Sequence, residues 1–140
     1  MRPTPAMSRP RKAIRHRVLI LGDQLDARSS ALEDFDPVRD RILMVEAPGE
    51  AAHVWSAKPR IAVFLAAMRH FARALESRGW PVDYLALGTH PHATIEAALA
   101  DVLARDPPGR VVAVEPGEWR LEQSIARVAT DAGVPLAWRE

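Results

Sequence analysis

Cysteine is absent from the 140 residues. Disulfides, thiolate metal sites, a cysteine nucleophile and a cysteine-held iron–sulfur cluster are therefore excluded within this chain. Lysine is scarce, occurring only as Lys12 and Lys58. No apolar run approaches the roughly 18 residues of a membrane span. The opening segment lacks the apolar middle of a secretory signal, so a cytoplasmic location is the default expectation. Gly22 is not followed by the further glycines of a dinucleotide fingerprint. A phosphate-cradling P-loop and a Gly-x-Ser-x-Gly nucleophile elbow are missing as well.

What is present suggests one domain with a real core, since 48% of the residues are hydrophobic. The formal net charge of +1 hides an asymmetry. Residues 1–17 hold Arg2, Arg9, Arg11, Lys12, Arg15 and Arg17 and no acid. Residues 18–140 keep 13 basic and 18 acidic side chains, a body of about −5. The basic start carries Pro3, Pro5 and Pro10 without periodicity, and residues 1–16 read as a disordered tail.

The chain is organised around Arg17-Val18-Leu19-Ile20-Leu21-Gly22-Asp23-Gln24-Leu25. An unbroken apolar run fits a strand covered on both faces, as in the middle of a parallel sheet. Gly22 is expected to turn the chain sharply through a positive φ. Asp23 and Gln24 then lie at the carboxyl end of the strand, where open α/β sheets bind ligands. The simpler alternative is that Asp23 caps the next short helix.

Further on, Ser29 to Asp34 has the makings of one or two helical turns, capped by Ser29 or Ser30. Arg41 to Glu46 is a second strand closing on a carboxylate. Ile61, Phe64, Met68, Phe71 and Leu75 recur at helical spacing and predict a long helix over residues 59–78. Val82 to Leu87 is a third strand, and its Asp83 and Tyr84 suggest a sheet edge. His90 and His92, with no third ligand in evidence, read as exposed loop residues rather than metal ligands. A helix to about Arg105, a strand from Arg110 to Glu115, a helix opened by Glu118 and a last strand from Leu136 complete the pattern. Alternation of this kind predicts an α/β, Rossmann-like, five-stranded parallel sheet with helices on both faces. The expected strand order is 3-2-1-4-5, with a cleft where the first and fourth strands meet.

Three strand ends then present acids around one rim: Asp23, Glu46 with Glu50, and Glu115 with Glu118. Such acids could hold Mg²⁺ for phosphate chemistry, which would make the chain a small Mg-dependent enzyme. They could instead accept hydrogen bonds from a ligand rich in N–H and O–H groups. With no lysine in the rim, a neutral, polar, ring-shaped ligand fits better than an anion. A structural remnant that binds nothing is the third reading.

The order of motifs adds to this. Leu19-Ile20-Leu21-Gly22-Asp23-Gln24-Leu25, Met44-Val45-Glu46, Glu50-Ala51, Ala67-Met68-Arg69-His70-Phe71-Ala72 and Glu115-Pro116-Gly117-Glu118-Trp119-Arg120 occur in sequence. Together, from about Arg17 onward, they resemble the N-terminal domain of the deoxyribodipyrimidine photolyase-related proteins, the prokaryotic iron–sulfur photolyases and cryptochromes. The resemblance implies an antenna domain that binds a light-harvesting chromophore, typically a 6,7-dimethyl-8-ribityllumazine-like molecule. It also implies a larger helical domain with FAD and an iron–sulfur cluster, which acts on damaged DNA and for which this chain has no matching residues.

By position, the resemblance places Asp23 and Glu50 on the chromophore's ring and ribityl hydroxyls. Gly117 and Glu118 belong to the fourth-strand loop of the same pocket, and Gly22, Gln24 and Glu46 follow as further contacts. One departure is His53, within Ala52-His53-Val54-Trp55-Ser56-Ala57-Lys58, where a tyrosine is expected. The expected role is thus a binding module over residues 17–140 in DNA photorepair or light sensing, with no activity of its own. It would be either a truncated gene product or a domain paired with a separately encoded FAD half. Trp119 and Trp138 are candidates for the face that meets such a half.

An acidic body binds duplex DNA poorly, because that affinity comes from neutralising phosphates. Deletion of residues 1–16 is therefore expected to leave no tight duplex binding at physiological salt, as measured by fluorescence anisotropy. Tight binding that survives the deletion would contradict this.

Overall fold

The computed structural model of the chain describes residues 13–48 and 58–140. Most of the expected basic tail, Glu50 and the segment around His53 lie outside the described residues. The elements are β1 (His16–Leu19), β2 (Arg41–Val45), α1 (Lys58–Ser77), β3 (Val82–Leu85), α2 (Ile95–Arg105), β4 (Arg110–Val114), α3 (Trp119–Ala132) and β5 (Leu136–Arg139). A single 3-10 turn, Ser30–Leu32, follows β1. All four strand pairings are parallel and the order is β3-β2-β1-β4-β5, as the alternation predicts. No helix among the described residues is long and apolar enough to cross a membrane.

β1 is buried on both faces because successive side chains point to opposite sides. Val18 and Ile20, with Ile42, Met44 and Val112 of the neighbouring strands, pack against Met68, Ala72 and Leu75 of α1. Leu19 and Leu21, with Leu43, Val45, Val111 and Ala113, pack against Ala98, Leu99 and Leu103 of α2 and Ile125 of α3. The 3-10 turn adds Ala31 and Leu32 to the α1 side. Trp138 packs against the core on the α2–α3 side, so of the two expected surface tryptophans only Trp119 is open, at 70% exposure.

Helix ends are set by local chemistry. Thr94 caps α2 by accepting from the Ala97 amide at 3.1 Å, and Glu118 caps α3 by accepting from the Leu121 amide at 2.9 Å. Gly133, at φ 72°, closes α3 in the left-handed region that side chains avoid.

Gly22 is used differently from the sequence expectation. Among the described residues the positive-φ glycines are Gly79, Gly88 and Gly133, not Gly22. Gly22 is buried, and a Cβ there would stand 2.2 Å from Phe64 Cζ and 3.0 Å from Met68 Sδ. The residue is glycine because α1 comes that close to the end of β1.

Three acids fasten the sheet at its ends, Asp40 and Glu46 buried and Asp83 half-buried. Asp40 is 1% exposed and takes Arg15 through Nε at 2.9 Å and Nη2 at 2.6 Å, together with the amides of His16 and Asp36. Arg15 and His16 thus belong to the fold rather than to a tail. On β3, Asp83 accepts from Arg17 at 2.5 Å and from Arg41 Nε and Nη2, both at 2.8 Å. Arg17 and Arg41 are register partners at the amino ends of β1 and β2, so one carboxylate bridges two neighbouring guanidiniums, with Asp106 3.9 Å from Arg17 as the second acid. β3 is indeed an edge strand, but Asp83 and Tyr84 are there for inward partners. Tyr84 and the third acid, Glu46, meet at the other end of the sheet.

Two outcomes follow. Gly22→Ala should destabilise the chain by about 1–3 kcal/mol, the usual cost of overpacking. Phe64→Leu in the same chain should recover part of the loss, read from urea unfolding; additive losses would contradict the contact. Burial favours the neutral form of Asp83, but the bonds from Arg41 and Arg17 outweigh it and bring its carboxyl from 3.8 down to about 2. A depressed carboxyl stabilises the fold above its unfolded value, so stability should be lost as the pH falls from about 4 through 2. The loss should be about 2 kcal/mol, and Asp83→Asn should flatten that part of the pH profile.

Candidate functional site

β1 and β4 lie side by side, yet the chain leaves them toward opposite faces: to the 3-10 turn on the α1 side after β1, and to α3 on the other side after β4. A parallel sheet opens a crevice at such a point, outside the carboxyl ends of the strands. The regular pairing of β1 with β4 ends at Leu19 and Ala113.

Gln24 spans the gap. Its Nε2 donates to the carbonyls of Val114, at 3.2 Å, and Glu115, at 3.4 Å. Its Oε1 is buried with no donor among the described residues. Asp23, one residue earlier, is exposed and makes no hydrogen bond to the described residues. It caps nothing, because the 3-10 turn is capped by Ser29, whose Oγ accepts from the Ala31 amide at 3.2 Å. Asp26 takes the local turn instead, accepting from the Arg28 amide at 2.9 Å.

Across the crevice, Glu115, Gly117 and Glu118 are exposed. A Cβ on Gly117 would meet no heavy atom within 4 Å, so the space beside it is open. Glu118 spends Oε1 on the start of α3. On the α1 side of Gln24 runs an open groove of about 490 Å³, lined by Asp26, Arg28, Ser29, Ser30, Glu33 and Val114 among others.

The structure thus sets Asp23 and Gln24 past the carboxyl end of β1 and Gly117 and Glu118 past that of β4, with Gln24 bridging the two strand ends. It separates two residues from them. Gly22 faces α1 rather than the opening. Glu46, expected on the open rim, is 1% exposed and its carboxylate is filled by four donors. Arg69 donates through Nε at 2.6 Å and Nη2 at 2.7 Å, joined by the Tyr84 hydroxyl and, at 2.9 Å, the Leu87 amide. Burial pushes the Glu46 carboxyl up, but these bonds outweigh it and hold the group below the ordinary range. Tyr84 is pushed the other way, by burial and by the Glu46 charge. The cause of Glu46's withdrawal is its even-numbered place after Met44, which turns it toward α1, where Arg69 waits.

The histidines are structural too. Both are half-buried rather than exposed. His90 Nδ1 takes the His92 amide at 3.2 Å, so the proton sits on Nε2, which donates to the Glu46 carbonyl at 2.8 Å. Among the described residues, no three of His, Cys, Asp and Glu are grouped to hold a metal ion.

Sequence reasoning missed Arg69 as the partner of Glu46. The available signal was an arginine on a helix one face away from its apolar stripe, paired with a strand-ending acid. It also missed that Gln24 would be consumed by backbone carbonyls, for which no local signal exists.

Residues 18–140 match the family described as deoxyribodipyrimidine photo-lyase-related protein. Over 124 residues, the chain is 35% identical to a protein named (6-4) photolyase from Agrobacterium fabrum (strain C58 / ATCC 33970). The match takes in 85% of this chain and 24% of that protein, so the chain spans about a quarter of its relative's length. With the family matched over residues 18–140 on a five-stranded parallel sheet, the chain belongs to the deoxyribodipyrimidine photo-lyase-related proteins.

Proposed function

We propose that this chain is a chromophore-binding antenna domain, and that its ligand is a 6,7-dimethyl-8-ribityllumazine-like molecule held in the β1–β4 crevice. The observation that carries the reading is Asp23: a carboxylate at the end of the central strand, exposed and without a partner among the described residues, next to the end of β4, whose following loop has open space beside Gly117. The donor set fits such a group, because an acceptor-only carboxylate suits the N–H and O–H groups of a polyhydroxylated ring compound. Asp23 would take ring and ribityl donors, Glu50 would add a second acceptor from beyond β2, and Gly117 and Glu118 would form the opposite wall. The bound chromophore would supply light absorption; the chain's own residues bind and orient it.

The wider role rests on family membership. A relative named (6-4) photolyase supports DNA photorepair, with light sensing as the other use of the same parts. FAD and an iron–sulfur cluster would be carried by polypeptide outside this sequence, either a separately encoded partner or the remainder of a longer protein. The domain by itself is then no enzyme, binds no duplex DNA tightly and works away from membranes. A Mg-dependent enzyme is less well supported, since Glu46 is engaged and the described acids do not converge on one point.

Fluorescence titration with the lumazine tests the site. A hydrogen bond to a charged group contributes about 1.5–3 kcal/mol. Asp23→Ala and Glu50→Ala should each weaken binding roughly tenfold to a hundredfold. Asp23→Ala should leave the urea midpoint unchanged, because Asp23 caps no helix. Unchanged affinity in both variants would overturn the site.

A further inference from the structure

We propose that Gln24 is a positioning residue. Its side-chain amide latches the loop carrying Asp23 to the loop carrying Gly117 and Glu118, and so sets the width of the crevice. The proposal rests on the chromophore reading above and assigns Gln24 an indirect part in it.

Three observations carry it. First, the latch stands where the ladder stops. β1 and β4 are paired through Leu19 and Ala113, and past that point the Leu21 carbonyl takes the Gln24 backbone amide at 3.0 Å, in a turn rather than a strand pairing. The Gln24 amide then provides two hydrogen bonds to the β4 end, to Val114 and Glu115. Second, the orientation of the amide is determined. Two carbonyl oxygens face Nε2, and a flipped amide would set oxygen against oxygen. A carboxylate cannot replace it, because it donates nothing. Third, the arrangement suits geometry more than stability. The bonds are long, at 3.2 and 3.4 Å, and Oε1 is left buried without a donor among the described residues. An unpaired buried acceptor offsets much of what two weak bonds contribute. A side chain kept at so little net gain has its value in the spacing it enforces between its neighbours, Asp23 on one side and Gly117 and Glu118 on the other.

The test uses the whole chain and the variants Gln24→Leu, Gln24→Glu and Gln24→His. Leu keeps the bulk without a donor, Glu sets a carboxylate against the two carbonyls, and His can donate from Nε2 at similar reach. Three quantities are read: the dissociation constant of 6,7-dimethyl-8-ribityllumazine by fluorescence, the urea midpoint, and amide hydrogen exchange over residues 115–121. Gln24→Leu should weaken lumazine binding about tenfold, as for loss of one well-placed contact. Exchange over residues 115–118 should quicken while the urea midpoint stays put. Gln24→Glu should do more, and Gln24→His should recover part of the affinity. Unchanged exchange in Gln24→Leu would overturn the proposal. So would an affinity loss matched by a falling urea midpoint, which marks ordinary destabilisation. If the unmodified chain binds no lumazine, the chromophore reading fails by itself, and the exchange measurement still decides whether the latch exists.

Discussion

Burial of β1 on both faces is the constraint from which the rest follows. A strand with Val18 and Ile20 under α1 and Leu19 and Leu21 over α2 and α3 has no side for a polar residue. Polar chemistry is pushed to the two ends. At the amino end it becomes ion pairing, with Arg17 and Arg41 sharing Asp83. At the carboxyl end the strands part, and Asp23 and Gln24 emerge beside the end of β4. One end is closed by charge neutralisation, so the open end is where an acceptor can remain unspent.

Unspent is the useful distinction among the acids. A buried carboxylate persists only when paired and hydrogen-bonded, since isolated burial is too costly. Asp40 and Glu46 meet that condition, and the half-buried Asp83 is paired in the same way. Glu46 fastens β2 to α1 and β3 through Arg69 and Tyr84, next to the segment that leads to Glu50. With its carboxylate taken by four donors, it offers no open acceptor to a ligand. Asp23 is the opposite case, exposed and without an assigned structural task. Acids of one chemical type thus divide by environment into those engaged in the fold and one left exposed.

The sheet, its order and its helices were legible because they rest on periodicity and on turn residues. Ile61, Phe64, Met68, Phe71 and Leu75 declared α1, and the unbroken run at Val18 declared a central strand. What stayed hidden were contacts made across long stretches of sequence. Arg69 meets Glu46 across 23 residues and Gln24 meets Val114 across 90, and no local pattern encodes either. Gly22 was legible as a special position but not for the right cause: a glycine required by close approach and one required by positive φ look the same in sequence. The family motifs named the candidate residues as a set, and the structure withdraws Gly22 and Glu46 from the open rim.

The central claim is that the β1–β4 crevice holds the chromophore. A two-dimensional amide NMR titration of the whole chain with 6,7-dimethyl-8-ribityllumazine tests it most directly. The account predicts saturable shifts concentrated at Asp23, Gln24, Gly117 and Glu118, with the amino end of the sheet around Arg17 and Asp83 undisturbed. An absence of saturable shifts, or shifts centred away from the carboxyl ends of β1 and β4, would contradict it.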